Sequence, residues 1–301
     1  SQASCPPGRI DSEAEVAKVR SPTFALGKMP MHFASDNWSG AHPRIAESLT
    51  RHAAGFASAY GTSDLDKAVE DRFSAIFERQ VAVFFVATGT AANSLSLASV
   101  KKTGGIIFCH EEAHIIHHEG GAVEFMTGGA KLVPVSGSVE GKMDPASLEK
   151  AMARFPDGDV HVGQKMALSI TQATEAGTIH SLDEIRALST IASNAGLKVH
   201  MDGARFSNAI AALGCTPAEM TWKSGIDILS LGGTKNGCLG VEGVVLFNPA
   251  KAWELELRRK RGGHLFSKHR FLSAQMEAYL TGGLWLKLAH ETADDGEAVP
   301  A

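Results

Sequence analysis

Short, unbroken apolar runs recur along the chain. The first is Val81–Ala87 (VAVFFVA), and Gly104–Cys109, Lys131–Val135, Met166–Thr171, Leu197–Met201, Ile226–Leu231 and Gly243–Phe247 are of the same type. Runs that are apolar on both faces suit a parallel or mixed sheet covered by helices. The stretches between them carry helix-start signals. Asp144-Pro145 places a side-chain acceptor just before a proline, which suits a first helical position. Ser181-Leu182-Asp183-Glu184 fits a capping box, and Asn194–Gly196 supplies the matching C-terminal glycine. The pattern predicts a doubly wound α/β unit with a mostly parallel central sheet covered by helices. Residues 1–30 differ: several prolines and no sustained apolar periodicity predict a loose N-terminal arm. Near the other end, LTGGLWLKLAH reads as helical and runs into the polar segment ETADDGEAVPA.

Composition narrows the class. Of the 301 residues, 44% are hydrophobic and 21% charged, with a formal charge of −4. That is enough apolar material for a sizeable core, and it excludes a disordered chain, a coiled coil and a collagen-like repeat. The slight acidity makes nucleic acid a poor partner. The four cysteines, Cys5, Cys109, Cys215 and Cys238, show neither zinc nor disulfide spacing. They point to a reduced, cytoplasmic protein. No apolar stretch approaches the roughly 20 residues of a membrane span, and the N-terminus lacks the build of a signal peptide.

In doubly wound sheets ligands sit beyond the carboxyl ends of the strands, so the residues after each run are the informative ones. Thr88-Gly89-Thr90-Ala91-Ala92-Asn93 follows the first run and opens a helix. Its glycine lets the backbone come close, and the helix start offers free amides and a positive dipole end, the chemistry of a phosphate cradle. A plain strand-to-helix turn is the alternative. Val199-His200-Met201-Asp202-Gly203-Ala204-Arg205 puts an acid and an arginine at a strand end; a surface ion pair is the bland alternative. Ser230-Leu231-Gly232-Gly233-Thr234-Lys235-Asn236-Gly237 sets a lysine in a glycine-rich turn, where burial would make its amine a nucleophile toward carbonyls; most lysines are simply solvated. His110, His114, His117 and His118 have spacings that could share a helical face. Without a supporting cysteine or carboxylate pattern they make a poor metal site, and an aromatic ring stacked on a cofactor suits them better.

A phosphate cradle, an aspartate and a lysine, in that order, have one economical explanation, which is pyridoxal 5'-phosphate (PLP). The sequence resembles the L-threonine aldolase branch of the fold-type I PLP enzymes, close to low-specificity threonine and L-phenylserine aldolases. The resemblance runs from Ser35-Asp36 to about Leu280 and rests on TGTAAN, HMDGAR and SLGGTKNG taken together; RRKRGGHLFSKHRFLSAQ leans toward the phenylserine type. It implies a large PLP-binding domain over residues 31–280, with 281–301 as the truncated start of a small C-terminal domain. It implies that Lys235 is the Schiff-base lysine, that Asp202 pairs with the pyridine nitrogen, and that Gly89 and Thr90 bind the phosphate, with Thr234 a further candidate. It implies that His114 stacks on the ring and helps move protons. Arg205 would face the cofactor oxygen or the substrate carboxylate, and Ser35 would contact that carboxylate.

Two departures from the family pattern stand out. Where many members carry a second active-site histidine, this chain has Gln172-Ala173-Thr174-Glu175-Ala176-Gly177, which makes Glu175 a candidate base. The family's further carboxylate-binding arginine, from the small domain, is not matched. The implied reaction is retro-aldol cleavage of an L-β-hydroxy-α-amino acid such as L-threonine, L-allo-threonine or L-phenylserine to glycine and an aldehyde. Another PLP reaction (β-elimination or transamination) and a non-catalytic PLP-binding protein are the alternatives. The resemblance also implies a homodimer or homotetramer, with Tyr60-Gly61 near the subunit interface and Lys268-His269-Arg270 as candidates to reach a neighbour's phosphate.

Overall fold

The computed structural model describes residues 35–297. The expected N-terminal arm, 1–30, lies outside the described residues. The chain divides into two units, Ser1–Ser35 and Asp36–Ala301, and the second carries the fold.

Seven strands form one sheet: β1 (Ala82–Val86), β2 (Gly105–His110), β3 (Lys131–Val135), β4 (Gln164–Thr171), β5 (Lys198–Gly203), β6 (Ile228–Gly232) and β7 (Glu242–Leu246). Their order across the sheet is β1-β7-β6-β5-β4-β2-β3. Neighbours from β6 through β5, β4 and β2 to β3 are parallel. Only β7 runs the other way, antiparallel to both β1 and β6. The expected mostly parallel sheet is therefore present, and every predicted run contains or overlaps a strand. Every residue of β2, β6 and β7 is buried, which is why these runs show no alternation.

Local sequence sets the helix ends as expected. The Asp144 carboxylate accepts from Ser147 N–H at 2.7 Å, ahead of the helix Pro145–Ala153. Ser181 and Glu184 form a reciprocal capping box for Leu182–Asn194, and Gly196 follows with φ of +70°. The helix predicted over LTGGLWLKLAH is interrupted at its glycines. Arg270–Leu280 ends at a short 3-10 turn, where Gly282 and Gly283 have φ of +65° and +68°, and a new helix covers Leu284–Glu297. The apolar pattern continues across the break because Leu284 and Trp285 join the same buried core as Leu272 and Tyr279. Side chains of this size each stabilise a fold by about 1.5–3 kcal/mol when fully buried.

Because β1 and the parallel strands point the same way, the loops after β1, β2, β4, β5 and β6 emerge on one rim. Among the described residues no helix is long and apolar enough to cross a membrane. Cys109, Cys215 and Cys238 are free thiols.

Candidate active site

The rim loops enclose a cavity of about 190 Å³ lined by Gly89, Thr90, His114, Glu175, Asp202 and Lys235, together with Asn37, Asn93, Glu119, Ala204 and Glu242. Six positions singled out in the sequence thus converge, one or two from each loop.

After β1, Thr88 caps the helix Gly89–Ser99, its hydroxyl accepting from Ala91 N–H at 3.1 Å. The amides of Gly89 and Thr90 fall in the first turn, where no intrahelical acceptor exists. A Cβ built on Gly89 meets nothing within 4 Å, so the space over these amides is open. Asp202 is the penultimate residue of β5 and is buried. Its carboxylate accepts from Asn93 Nδ2 at 2.9 Å and from Ala204 N–H at 3.1 Å. Lys235 lies in the 3-10 turn Thr234–Asn236 after β6, half-buried. The two loops can meet because Gly232 lies against the Ala204 backbone: a Cβ on Gly232 would sit 2.2 Å from Ala204 O. No other residue type fits there.

A buried polar thread runs through His200, two residues before Asp202 on β5. His200 Nδ1 and Nε2 bond Ser169 Oγ and Ser230 Oγ, each at 2.9 Å, and Ser230 Oγ lies 3.3 Å from Ser96 Oγ. Burial pushes the His200 imidazole down to about 4, against the pull of the Asp202 charge.

Sequence reasoning missed three of the buried groups. Asn93 stood inside the quoted motif but received no role. It lies one turn beyond Gly89, on the helix face that looks into the sheet. Glu119 accepts from Asn93 Nδ2 at 2.8 Å and from His114 Nδ1 at 3.0 Å. Burial raises its carboxyl, partly offset by those two hydrogen bonds. Glu242, at the start of β7, accepts from Gly233 N–H at 2.9 Å. Burial pushes this carboxyl up to about 7, against hydrogen bonds from Thr234 and Gly233 and the nearby charge of Lys235.

Other expected residues lie elsewhere. Arg205 does not line the cavity; its Nε donates to Asp36 Oδ2 at 2.8 Å. The Thr234 hydroxyl is engaged inside its own loop, accepting from Val241 N–H at 3.2 Å. Ser35 ends the first unit. The four histidines do not share a helical face. His110 ends β2, and the helix that follows is a single turn, His114–His117. Among the described residues no group of three or more His, Cys, Asp and Glu is placed to hold a metal. Tyr60 and Gly61 line a separate cavity of about 730 Å³. The idea that His269 reaches outward is corrected: it is buried, bonded to Asp66 Oδ1 at 2.7 Å and Arg259 Nη1 at 3.1 Å. Arg270 donates to the Gly55 carbonyl at 3.0 Å, and Lys268 is exposed.

Comparison with known proteins gives consistent findings. A family model described as Beta-eliminating lyase matches residues 32–298. The chain is 45% identical over 257 residues to a low-specificity L-threonine aldolase of a Pseudomonas species, covering 85% of this chain and 73% of that protein. It is 42% identical to the protein of that name from Pseudomonas aeruginosa, with the same coverage. Among solved structures, a threonine aldolase from Leishmania major superposes with a TM-score of 0.81 at 25% identity, covering 87% of this chain and 76% of that one. An aspartate aminotransferase from Thermus thermophilus, at 12% identity and a TM-score of 0.65, shares the fold.

Proposed function

The chain belongs to the beta-eliminating lyase family, on its low-specificity L-threonine aldolase branch, and we propose that it binds PLP and cleaves L-β-hydroxy-α-amino acids to glycine and an aldehyde. Its family and structural neighbours are PLP enzymes. The observation that carries the reading is one cavity bounded by unpaired helix-start amides, a buried carboxylate and a lysine. That donor set fits the cofactor's chemistry: an anion, a ring nitrogen that needs a proton, and an aldehyde.

In this reading Gly89 and Thr90 hold the phosphate, Asp202 keeps the ring nitrogen protonated, and Lys235 holds the aldehyde carbon. Bound there, PLP supplies an electron sink for the pair left on Cα when the Cα–Cβ bond breaks. The chain must then take the β-hydroxyl proton. His114 and Glu175 both line the cavity, and His114 is the better base. Its hydrogen bond to Glu119 raises its affinity for a proton, against burial, and fixes its ring, whereas Glu175 is exposed. General-base help of this kind is worth about 10²–10⁴-fold. Arg205 and Ser35 remain the candidates for the substrate carboxylate, and residues 31–280 the cofactor-binding domain. We also place the protein in the cytoplasm as a homodimer or homotetramer, as the free thiols and the fold-type I resemblance suggest.

The test is product analysis on the PLP-loaded protein with L-threonine and L-phenylserine. Glycine plus aldehyde supports the reading; a keto acid without glycine overturns it in favour of elimination or transamination. Lys235→Ala should abolish both turnover and the visible absorbance band of the bound cofactor. Retention of full activity and the band would remove Lys235 from its role.

A further inference from the structure

We propose that Glu119 is the positioning residue for His114, fixing the proton on Nδ1 and leaving Nε2 as the nitrogen available to the cavity, with Asn93 linking this pair to Asp202. The inference deepens the site reading above and rests on it for its catalytic meaning.

Three observations carry it. First, the Glu119 side chain is fully buried, although it sits in a turn between two short helices, His114–His117 and Ala122–Thr127. An acid there costs free energy unless polar partners compensate it. Second, those partners all belong to the site. A single oxygen, Oε1, accepts from His114 Nδ1 at 3.0 Å and from Asn93 Nδ2 at 2.8 Å. An ionised carboxylate can only accept, so with Glu119 charged the proton between Oε1 and the imidazole sits on His114 Nδ1. The second oxygen, Oε2, is buried with no partner among the described residues, as is Asn93 Oδ1. Third, Asn93 Nδ2 also donates to Asp202 Oδ2 at 2.9 Å. One side-chain amide therefore spaces the two carboxylates and fixes both against the same helix.

The physical effect follows from imidazole chemistry. A hydrogen bond at one ring nitrogen decides which tautomer is present and so which nitrogen can take a proton. A carboxylate at Nδ1 makes Nε2 the acceptor and strengthens it as a base. The charged groups that bear on His114 come from three elements: Glu119 on its own loop, Glu175 after β4 and Asp202 at the end of β5. Lys235 and Glu242 complete the ring of charge around the same cavity. The His118 ring stands 5.3 Å away on the outer side. Of these, Glu119 alone shares a hydrogen bond with His114.

Glu119→Gln is the discriminating variant, because an amide oxygen can still accept from Nδ1 while the charge is gone. The primary readout is an NMR titration of the histidine ring nitrogens, with His114 assigned by its loss in His114→Gln. It is run on the cofactor-free and the PLP-loaded protein. In the wild type, His114 should titrate above an ordinary histidine and, once neutral, carry its proton on Nδ1. In Glu119→Gln the midpoint should fall by about one pH unit, the size of effect a nearby opposite charge has. With L-phenylserine, kcat should fall about tenfold, KM should stay within about twofold, and the acid limb of the rate profile should move to lower pH by the same unit. An unchanged His114 midpoint and tautomer would overturn the proposal, whatever the activity. Failure of the site reading would look different: wild-type protein with no cofactor band and no cleavage, but with the His114 titration as expected. Should Glu119→Gln not fold, Glu119→Asp serves, since its shorter arm withdraws the charge from Nδ1. It should lower the midpoint in the same direction, and no change there would also sink the idea.

Discussion

Arg205 Nε and Asp36 Oδ2 are 2.8 Å apart, with about a third of each side chain still exposed (32% and 35%). A partly exposed ion pair of this kind is worth about 0–1 kcal/mol, so another carboxylate can exchange with Asp36 at little cost. If Arg205 binds the substrate carboxylate, Asp36 competes with it. Asp36→Asn should then lower KM by up to about fivefold with kcat unchanged. Arg205→Ala should raise KM by at least about tenfold. Initial-rate kinetics with L-threonine decide it, and a KM indifferent to both changes would assign carboxylate binding elsewhere.

Glu175 and His114 can be separated by their exposure. Glu175→Ala should change kcat by less than about threefold, because its side chain is exposed to solvent. His114→Phe keeps an aromatic ring on the site but removes the proton acceptor, and should lower kcat by about 10² or more. A reversed ranking would make Glu175 the base.

Glu242 bears on stability through pH. Its carboxyl is pushed up to about 7 from an ordinary 4.5. Below 4.5 it is protonated in the folded and unfolded chains alike. As pH rises from 4.5 to 7, the unfolded chain releases a proton that the folded chain keeps, so stability falls across that window and then levels off. Glu242→Gln removes the effect and should stabilise the cofactor-free protein at pH 8 by on the order of 3 kcal/mol. Urea unfolding at pH 4 and pH 8 should show the gain only at the higher pH.

His180 and His200 act over a largely overlapping window with the opposite sign. Burial pushes each to about 4, from 6.5. Above 6.5 they are neutral whether the chain is folded or not. As pH falls from 6.5 to 4, the unfolded chain takes up protons that the folded chain refuses, and stability drops at about 1.4 kcal/mol per unit for each histidine. The melting temperature of His200→Asn should therefore fall less steeply than wild type between pH 6.5 and 4. Parallel curves would contradict the assignment.

Phe206 follows Arg205 directly and is buried, stacked on Trp285 at 6.4 Å and packed against Phe77 at 6.1 Å. Phe206→Ala should cost about 3–5 kcal/mol. It should also loosen the helix that begins at Phe206, and with it the loop carrying Asp202. Denaturant unfolding, paired with PLP retention, tests both consequences.

Much of this was legible from residue order alone. Continuous apolar runs gave the strands, because both faces of the sheet are covered. Capping residues gave helix ends, because their hydrogen bonds are local. The rim residues followed from the rule that chemistry collects after strand ends. What stayed hidden depended on direction and distance. Glu119 comes five positions after His114, but a one-turn helix and a tight bend fold it back onto that ring. Glu242 could not be placed without knowing that β7 runs against its neighbours. The pairing of Arg205 with Asp36 was equally hidden, because it depends on the turn the chain makes after Ala204 and joins positions far apart in sequence. The hydrophobic pattern runs across the glycine pair Gly282-Gly283 and so does not mark the break between the two helices.

The reversed strand β7 has a geometric consequence. Val86, in the strand that feeds the turn at Gly89 and Thr90, and Gly232, in the strand that feeds Lys235, both pair with Glu242. Two hydrogen-bonded strand spacings, about 10 Å in all, therefore separate the two attachment points. The span is dictated by backbone repeat and not by any side chain, so loops around the rim can be recut to admit bulkier aldehydes without stretching the grip at either end.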